Sequence, residues 1–209
     1  MRFRTTPPPG RPYHRVTAMR LYFVRHGQPD YGSLGSPRLG PLPPDHAPLA
    51  PVGRLQIETI ARDYRLQEVD AVLSSSYARA LESAALLSRA IGRPFYVEVD
   101  LHEWRPHEDP AMQTDPALLA RAAERLRFGQ DPGEGPWETL DEVRERAVRV
   151  LRRYRRFERL AIVTHAVVIT AIVGTPRPVE HAEIVPYDFD PDAPTARVQP
   201  ARARHDTRS

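Results

Sequence analysis

Short apolar runs alternate along the chain with longer amphipathic segments. The runs are rich in β-branched and aromatic residues, which is typical of buried strands. The segments between them carry apolar residues every three or four positions, as helices that cover a core do. This alternation predicts one α/β domain, a three-layer sandwich whose mostly parallel sheet has helices on both faces. The predicted strands are 21–24, 69–73, 95–99, 160–164 and an edge-like 184–189.

The predicted helices are bounded by capping and breaking residues. One helix carries an apolar face that runs from Ile57 to Tyr64. The next helix is expected to be capped by Ser75 or Ser76 and to end at Gly92. Three more helical segments are predicted at 114–127, 138–157 and 166–173.

Both ends of the chain lack this pattern. Residues 1–18 contain a Pro-Pro-Pro-Gly run and are predicted to be a disordered extension. Residues 190–209 are polar and are predicted to be a mobile tail. The folded domain is therefore expected to span 19–189. Within it, the Pro- and Gly-rich segment 27–51 is predicted to be a long loop, and such loops in compact domains are usually functional or disordered.

The charge of the chain is carried unevenly. All 30 basic residues are arginines, against 27 acids, but residues 19–189 contain 22 arginines and 24 acids. A nearly neutral body argues against a specific nucleic-acid surface. No stretch is long and apolar enough to span a bilayer, and Met1 to Met19 lacks the apolar core of a secretory signal. We therefore expect no secretory signal, no membrane partner and a cytoplasmic location. The absence of cysteine excludes disulfides and thiolate chemistry. The sequence pattern does not specify an oligomeric state.

Two histidines follow predicted strands closely. His26 lies two residues after the first strand, and His165 directly follows 160–164. Ligands of parallel sheets gather beyond the carboxyl ends of the strands, so both histidines should lie at one edge of the sheet. Arg25 and Arg79, the latter at a predicted helix start, add guanidinium groups that bind phosphate bidentately. The remaining histidines are expected to be structural or exposed: His14, His46, His102, His107, His181 and His205.

Five segments resemble, in the right order, the signature elements of the histidine phosphatase superfamily in its phosphoglycerate-mutase-like branch. Each element alone is weak, but each occurs where the independent fold prediction requires it. The resemblance covers residues 19–189 and implies that this span is the catalytic domain. The matching segments are 21–27 (the strand and Arg-His-Gly tripeptide), 49–56 (Leu-x-x-x-Gly-x-x-Gln), 75–84 (serines before Arg-Ala), 101–103 (Leu-x-Glu) and 163–169 (Thr-His before an apolar run).

The resemblance implies a role for each matching residue. His26 would be the nucleophile that becomes phosphohistidine. Glu103 would protonate the leaving group and later activate water, with Glu108 as the alternative because the segment after Glu103 lacks the family's usual glycines. Gln28 follows the tripeptide and is expected to border the substrate. The catalytic residues would be His26, Glu103 and His165, and the phosphate-binding residues would be Arg25, Arg79, His165 and Gln28.

Departures from the family pattern favour a hydrolase. Pro29 and Gly32 stand where mutases carry Ser/Thr and Asn, Ala166 replaces a glycine, and the interval from Glu103 to His165 is short for a mutase. We therefore expect a metal-independent phosphomonoester hydrolase that acts on a small phosphorylated metabolite and needs no cofactor. Two histidines without a carboxylate at ligand spacing also make a poor metal site. A phosphoglycerate-type mutase is the alternative, and a non-catalytic phosphate-binding module is the third possibility.

Overall fold

The computed structural model describes residues 18–36, 40–41, 43–105 and 115–195, which contain seven strands, six α-helices and three short 3₁₀ helices. The strands are β1 (Met19–Arg25), β2 (Gly35–Ser36), β3 (Gly40–Pro41), β4 (Ala71–Ser75), β5 (Phe95–Glu98), β6 (Arg159–Thr164) and β7 (Ile184–Phe189). The helices are α1 (Pro51–Ile60), α2 (Tyr64–Gln67), α3 (Ala78–Ile91), α4 (Pro116–Arg127), α5 (Leu140–Arg153) and α6 (Ala166–Val173).

Five of these strands form the central sheet in the order β5-β4-β6-β1-β7. The first four run parallel to one another, and β7 pairs antiparallel with β1 at one edge. Strands β2 and β3 form a separate two-residue pair in the loop after β1. The predicted α/β domain with a mostly parallel sheet and an edge-like last strand is confirmed.

Two apolar layers cover the sheet, one on each face. Successive strand residues point to opposite faces, so Leu21 and Phe23 of β1 pack on one side and Tyr22 and Val24 on the other. The first layer includes residues of α5 and α6, such as Val150, and the second includes residues of α1 and α3. The three-layer arrangement leaves the carboxyl ends of the parallel strands as the edge where polar side chains collect.

Two details of the helix predictions were wrong. The helix predicted through Tyr64 ends at Ile60, because Asp63 accepts a hydrogen bond from Arg65 N–H and caps a new short helix. Tyr64 is consequently exposed rather than part of the apolar face. Neither Ser75 nor Ser76 is the N-cap of α3: that position belongs to Tyr77, while Ser75 is the last residue of β4.

Most of the predicted disordered extension (1–18) and of the predicted mobile tail (190–209) lies outside the described residues, which begin at 18 and end at 195. Before that point the tail contacts α5: Arg152 donates hydrogen bonds to the carbonyls of Pro191 at 3.1 Å and Ala193 at 2.6 Å. The chain therefore packs on the domain as far as Ala193. None of the helices within the described ranges is long and apolar enough to cross a membrane.

Candidate active site

His26 and His165 meet at the carboxyl edge of the sheet. Strands β1 and β6 are parallel neighbours with Arg25 opposite Thr164, so the residue after each strand lies beside the other. The His26 N–H donates to the Thr164 carbonyl at 3.0 Å, and the two imidazole centroids are 5.1 Å apart. Both side chains are buried. The expectation that these histidines share one edge is confirmed.

Arg79 joins the two imidazoles. It lies in the first turn of α3, and its side chain is buried. Its Nε donates to Nε2 of His26 at 3.1 Å, and its Nη2 lies 3.3 Å from Nδ1 of His165. The structure thus brings together Arg79, His26 and His165, which the sequence places 53 and 86 residues apart along the chain.

These contacts define the tautomer of each histidine. A guanidinium has donors and no acceptor, so the ring nitrogen that faces Arg79 must carry a lone pair. The other nitrogen of His26, Nδ1, is then protonated and donates to the Gly27 carbonyl at 2.7 Å. The Nε2–H of His165 likewise donates to the hydroxyl oxygen of Ser75 at 2.8 Å. Each imidazole is therefore a neutral group with a defined proton position.

Electrostatics favour the same neutral forms. Burial, followed by the positive charge of Arg79, lowers the pKa of His26 well below its ordinary value. Burial also lowers the pKa of His165 strongly, with His26 and Arg79 acting in the same direction. An unprotonated Nε2 of His26, held beside a permanent positive charge, has the form that a nucleophile for an anionic ester requires.

Arg25 adds a second guanidinium to the site. Its Nη1 donates to the Val179 carbonyl at 2.6 Å, which orients the group. Its buried Nε–H has no hydrogen-bond partner among the described residues. Burial lowers the pKa of Arg25, and Glu103 is the strongest opposing influence, as expected for a carboxylate close to the guanidinium. The site therefore contains two guanidinium groups, those of Arg25 and Arg79.

Glu103 follows the turn after β5 and is half-buried. Burial raises the pKa of its carboxyl group, with the Trp104 N–H and then the charges of Arg79 and Arg25 opposing that rise. The Trp104 N–H donates to Oε1 of Glu103 at 2.9 Å. A carboxyl group with a raised pKa near two arginines has the form that a proton donor requires. The alternative acid, Glu108, lies outside the described residues.

The loop after β1 is held by close backbone packing. The Gly27 N–H donates to the Ser83 hydroxyl of α3 at 3.1 Å. A Cβ atom on Gly27 would lie 2.4 Å from the Gly53 carbonyl oxygen, so only glycine allows this approach. Gln56 accepts a hydrogen bond from the Gln28 N–H at 2.9 Å. The Gln28 side chain is exposed, and its phosphate-binding role stays a prediction.

His181 is a site residue that the sequence analysis missed. Its ring centroid lies 5.6 Å from that of His26, and burial, together with the charge of Arg25, lowers its pKa to about 4. No local motif marks this residue. The sequence feature that could have identified His181 is its position just before β7. The antiparallel pairing places Ile184 opposite Val24, so the residues before Ile184 lie beside His26.

A cavity of about 390 Å³ opens next to the cluster. Tyr77 forms part of its wall, and the same ring packs edge-on against His165 with centroids 5.1 Å apart. His102, the neighbour of Glu103, also lines it and stacks on Tyr77. Asp45 and Arg105 add one charge of each sign to the wall. In the described part of the chain, no group of three or more His, Cys, Asp or Glu side chains is placed to hold a metal ion.

Comparison with known proteins agrees with this geometry. The family model of the histidine phosphatase superfamily (branch 1) matches residues 21–191. A Hydrogenobacter thermophilus protein named Putative phosphoserine phosphatase 2 is 29% identical over 159 residues, which are 74% of this chain and 76% of that protein.

Two solved structures share the fold. Mycobacterial glucosyl-3-phosphoglycerate phosphatase is 22% identical, with a TM-score of 0.60 over 80% of this chain and 90% of that one. Phosphoglycerate mutase from Bacillus anthracis is 15% identical, with a TM-score of 0.61 over 85% and 90% of the two chains. With the family model covering most of its length and the paired histidines in place, the chain belongs to the histidine phosphatase superfamily, branch 1.

Proposed function

We propose that the protein is a phosphomonoester hydrolase that transfers the phosphoryl group of a small metabolite to His26 and then to water, without a metal ion. The observation that carries this proposal is the state of His26: a buried, neutral imidazole whose Nε2 lone pair faces Arg79 at 3.1 Å. The Nδ1–H is held by the Gly27 carbonyl, so the ring cannot present the other nitrogen without losing that bond.

Positive charge at the site offsets the repulsion between an anionic ester and its nucleophile. A phosphate oxygen would compete with His26 for the Arg79 N–H, and the unpaired Nε–H of Arg25 is a second donor. Preorganised donors of this kind stabilise the charge that develops on the equatorial oxygens during phosphoryl transfer. In this proposal, arginines take the part that a metal ion plays in other phosphatases.

The proposed reaction has two steps. Nε2 of His26 attacks phosphorus as the bond to the ester oxygen breaks, and Glu103 gives its proton to the departing alkoxide. Water then attacks phosphorus, the carboxylate of Glu103 takes a proton from that water, and cleavage of the phosphorus–nitrogen bond releases phosphate and restores His26. The raised pKa of Glu103 supports its role as the proton donor in the first step.

The surroundings of the cluster support a small substrate. The cavity of about 390 Å³ beside Tyr77 and His102 has room for the body of a metabolite. The relatives named as phosphoserine and glucosyl-3-phosphoglycerate phosphatases act, by their names, on small phosphorylated molecules. These relatives favour the proposal that the present protein is also a phosphatase of a small phosphorylated molecule.

The decisive experiment is a rapid-quench reaction with [³²P]-labelled phosphomonoesters, phosphoserine among them, in the presence of EDTA. We expect radioactive protein whose phosphate is labile in acid and stable in alkali, mapped to the peptide that contains His26. His26→Asn should abolish both the label and phosphate release. His14→Asn, which changes a histidine outside the matched family region, is the control and should behave as wild type.

Three results would contradict the proposal. Full turnover by His26→Asn would show that His26 is not the nucleophile. Activity that EDTA abolishes and that one divalent ion restores would show that the mechanism depends on a metal ion. Return of the label to a second hydroxyl of the substrate, with little inorganic phosphate, would identify a mutase instead.

A further inference from the structure

Arg146 of α5 forms a buried ion pair with Glu138. Its side chain is almost fully buried, and two parallel contacts join the groups: Nε to Oε1 at 2.6 Å and Nη2 to Oε2 at 3.0 Å. Glu138 lies just before the N-cap of α5, so the pair joins the residue that precedes the helix to the second turn of the helix. Neither residue touches the paired histidines, and neither has a part in the reaction proposed above.

The pair also contacts the segment that carries Glu103. Nη1 of Arg146 donates to the carbonyls of Asp100 at 2.7 Å and His102 at 2.8 Å. The main-chain carbonyl of Glu138 accepts a hydrogen bond from the Trp104 indole at 2.7 Å. Arg146 therefore contacts the backbone just before Glu103, and the main chain of its partner Glu138 contacts Trp104 just after it.

Glu103 lacks the regular backbone support that its neighbours in the site have. His26 and His165 directly follow long strands of the central sheet, and Arg79 lies within a helix, whereas Glu103 follows only one short 3₁₀ turn, Val99–Leu101. The segment before it is fixed by side chains. Thr164 donates to the Leu101 carbonyl at 2.7 Å, and Arg146 donates to the carbonyls on either side of Leu101. The backbone just before Glu103 is thus held by side chains that are distant in sequence.

We propose that the Glu138–Arg146 pair is a positioning device that holds the Glu103 carboxyl group at the leaving-group oxygen. The inference rests on the proposed role of Glu103 as the general acid. A guanidinium suits this task because its planar fork reaches a carboxylate and two carbonyls at the same time. A lysine at the same position keeps the charge but presents a compact ammonium, which cannot span those partners.

The test uses Arg146→Lys and Glu138→Gln, with Arg149→Lys as the matched control. Arg149 lies in the same helix but is exposed. Single-turnover phosphorylation of His26 is measured with an alkyl phosphate, which needs a proton donor, and with p-nitrophenyl phosphate, which does not. Small misplacement of a catalytic group costs up to about 100-fold in rate. We expect a loss of about 10- to 100-fold for the alkyl phosphate, a distinctly smaller loss for p-nitrophenyl phosphate, and no change for Arg149→Lys.

Two further measurements separate positioning from general stability. If Arg146 acts through Glu103, Arg146→Lys should cause no additional loss in a Glu103→Gln background. Hydrogen exchange of the peptide covering 100–105 should rise in Arg146→Lys, while exchange within α3 stays unchanged. This second readout does not require activity, so it tests the pair even if the wild-type protein hydrolyses none of the phosphomonoesters and the proposed function fails.

The proposal is overturned if both substrates lose rate equally, or if the losses from Arg146→Lys and Glu103→Gln multiply. Unchanged exchange at 100–105 would also overturn it. A global rise in exchange with a large fall in melting temperature in both Arg146→Lys and Glu138→Gln would show that the pair only stabilises the fold, and would overturn the proposal too. If Arg146→Lys alone loses its fold, Glu138→Gln, which keeps the side-chain volume, provides the same comparison of the two substrates.

Discussion

Arg79 donates to the Nε2 atom of His26 at 3.1 Å, and this single contact specifies how the proposed nucleophile is protonated. Because the guanidinium has no acceptor, Nε2 must carry the lone pair, and the proton resides on Nδ1 against the Gly27 carbonyl. The same guanidinium reaches His165 at 3.3 Å. One arginine therefore orients both imidazoles and offers charge to the phosphate they would bind.

Glu103→Gln should weaken catalysis in proportion to how much the leaving group needs a proton. Positioned proton transfer is worth about 10²–10⁴-fold, so a loss of that order is expected with an alkyl phosphate in the phosphorylation step. The loss with p-nitrophenyl phosphate should be much smaller, because p-nitrophenolate leaves without protonation. Rapid-quench kinetics measure this step alone. Equal losses with both substrates would count against Glu103, and the same dependence in Glu108→Gln would transfer the role to Glu108.

Ser75→Ala should impair the site without removing any group proposed to contact phosphate. The Nε2–H of His165 would lose its buried acceptor, and an unsatisfied buried donor costs about 1–3 kcal/mol. We expect a lower melting temperature and a reduced kcat. Ser74→Ala is the matched control: Ser74 is also buried at the end of β4, but it bonds to the Ser75 carbonyl and not to the histidine. A kcat as low in the control as in Ser75→Ala would refute a role specific to His165.

Gly53→Ala should displace the loop that follows His26. The new methyl group would lie 2.2 Å from the Gln28 carbonyl oxygen, and backbone rather than a flexible side chain would have to shift. Overpacking of this kind costs roughly 1–3 kcal/mol, so both the melting temperature and the phosphorylation rate should fall. The added methyl group of Gly35→Ala meets nothing within 4 Å, and this variant should behave as wild type. Full activity in Gly53→Ala would show that the loop tolerates the shift.

The buried histidines should make the folded protein acid-sensitive. The pKa values of His26 and His165 are lowered well below 6.5 in the folded state, so below about pH 6.5 the unfolded chain binds more protons than the native one. The free energy of unfolding is therefore highest above the pKa that histidine has in the unfolded chain. It decreases as the pH drops below that value, by up to about 1.4 kcal/mol per pH unit for each histidine. Denaturant unfolding between pH 7 and pH 5 measures this slope.

Removal of one buried histidine tests the origin of that slope. His26→Asn should flatten this slope by the contribution of one histidine, because the pKa of that buried imidazole is lowered in the folded state. An identical slope in His26→Asn and wild type would mean that other groups cause the acid sensitivity.

Local sequence patterns sufficed for the sheet and for the central pair of the site. The apolar runs located β1 and β6, and the carboxyl ends of parallel neighbours necessarily share an edge, so His26 and His165 could be placed together before any contact was known. The position of Arg79 could be predicted by the same reasoning, since a helix that follows a parallel strand begins at that edge. The family resemblance then assigned roles to residues already in place.

The tertiary structure alone decided which partners surround that pair. Ser75 could be read from the sequence as a helix cap, yet the approach of β6 makes it the acceptor for His165. His181 looked like an ordinary surface histidine until the antiparallel pairing of β7 brought it beside His26. The contacts of Arg146 with the backbone around Glu103 span more than 40 residues. Periodicity reports which face of an element is buried, but the identity of a buried polar group's partner depends on how distant elements pack, and no local pattern records that packing.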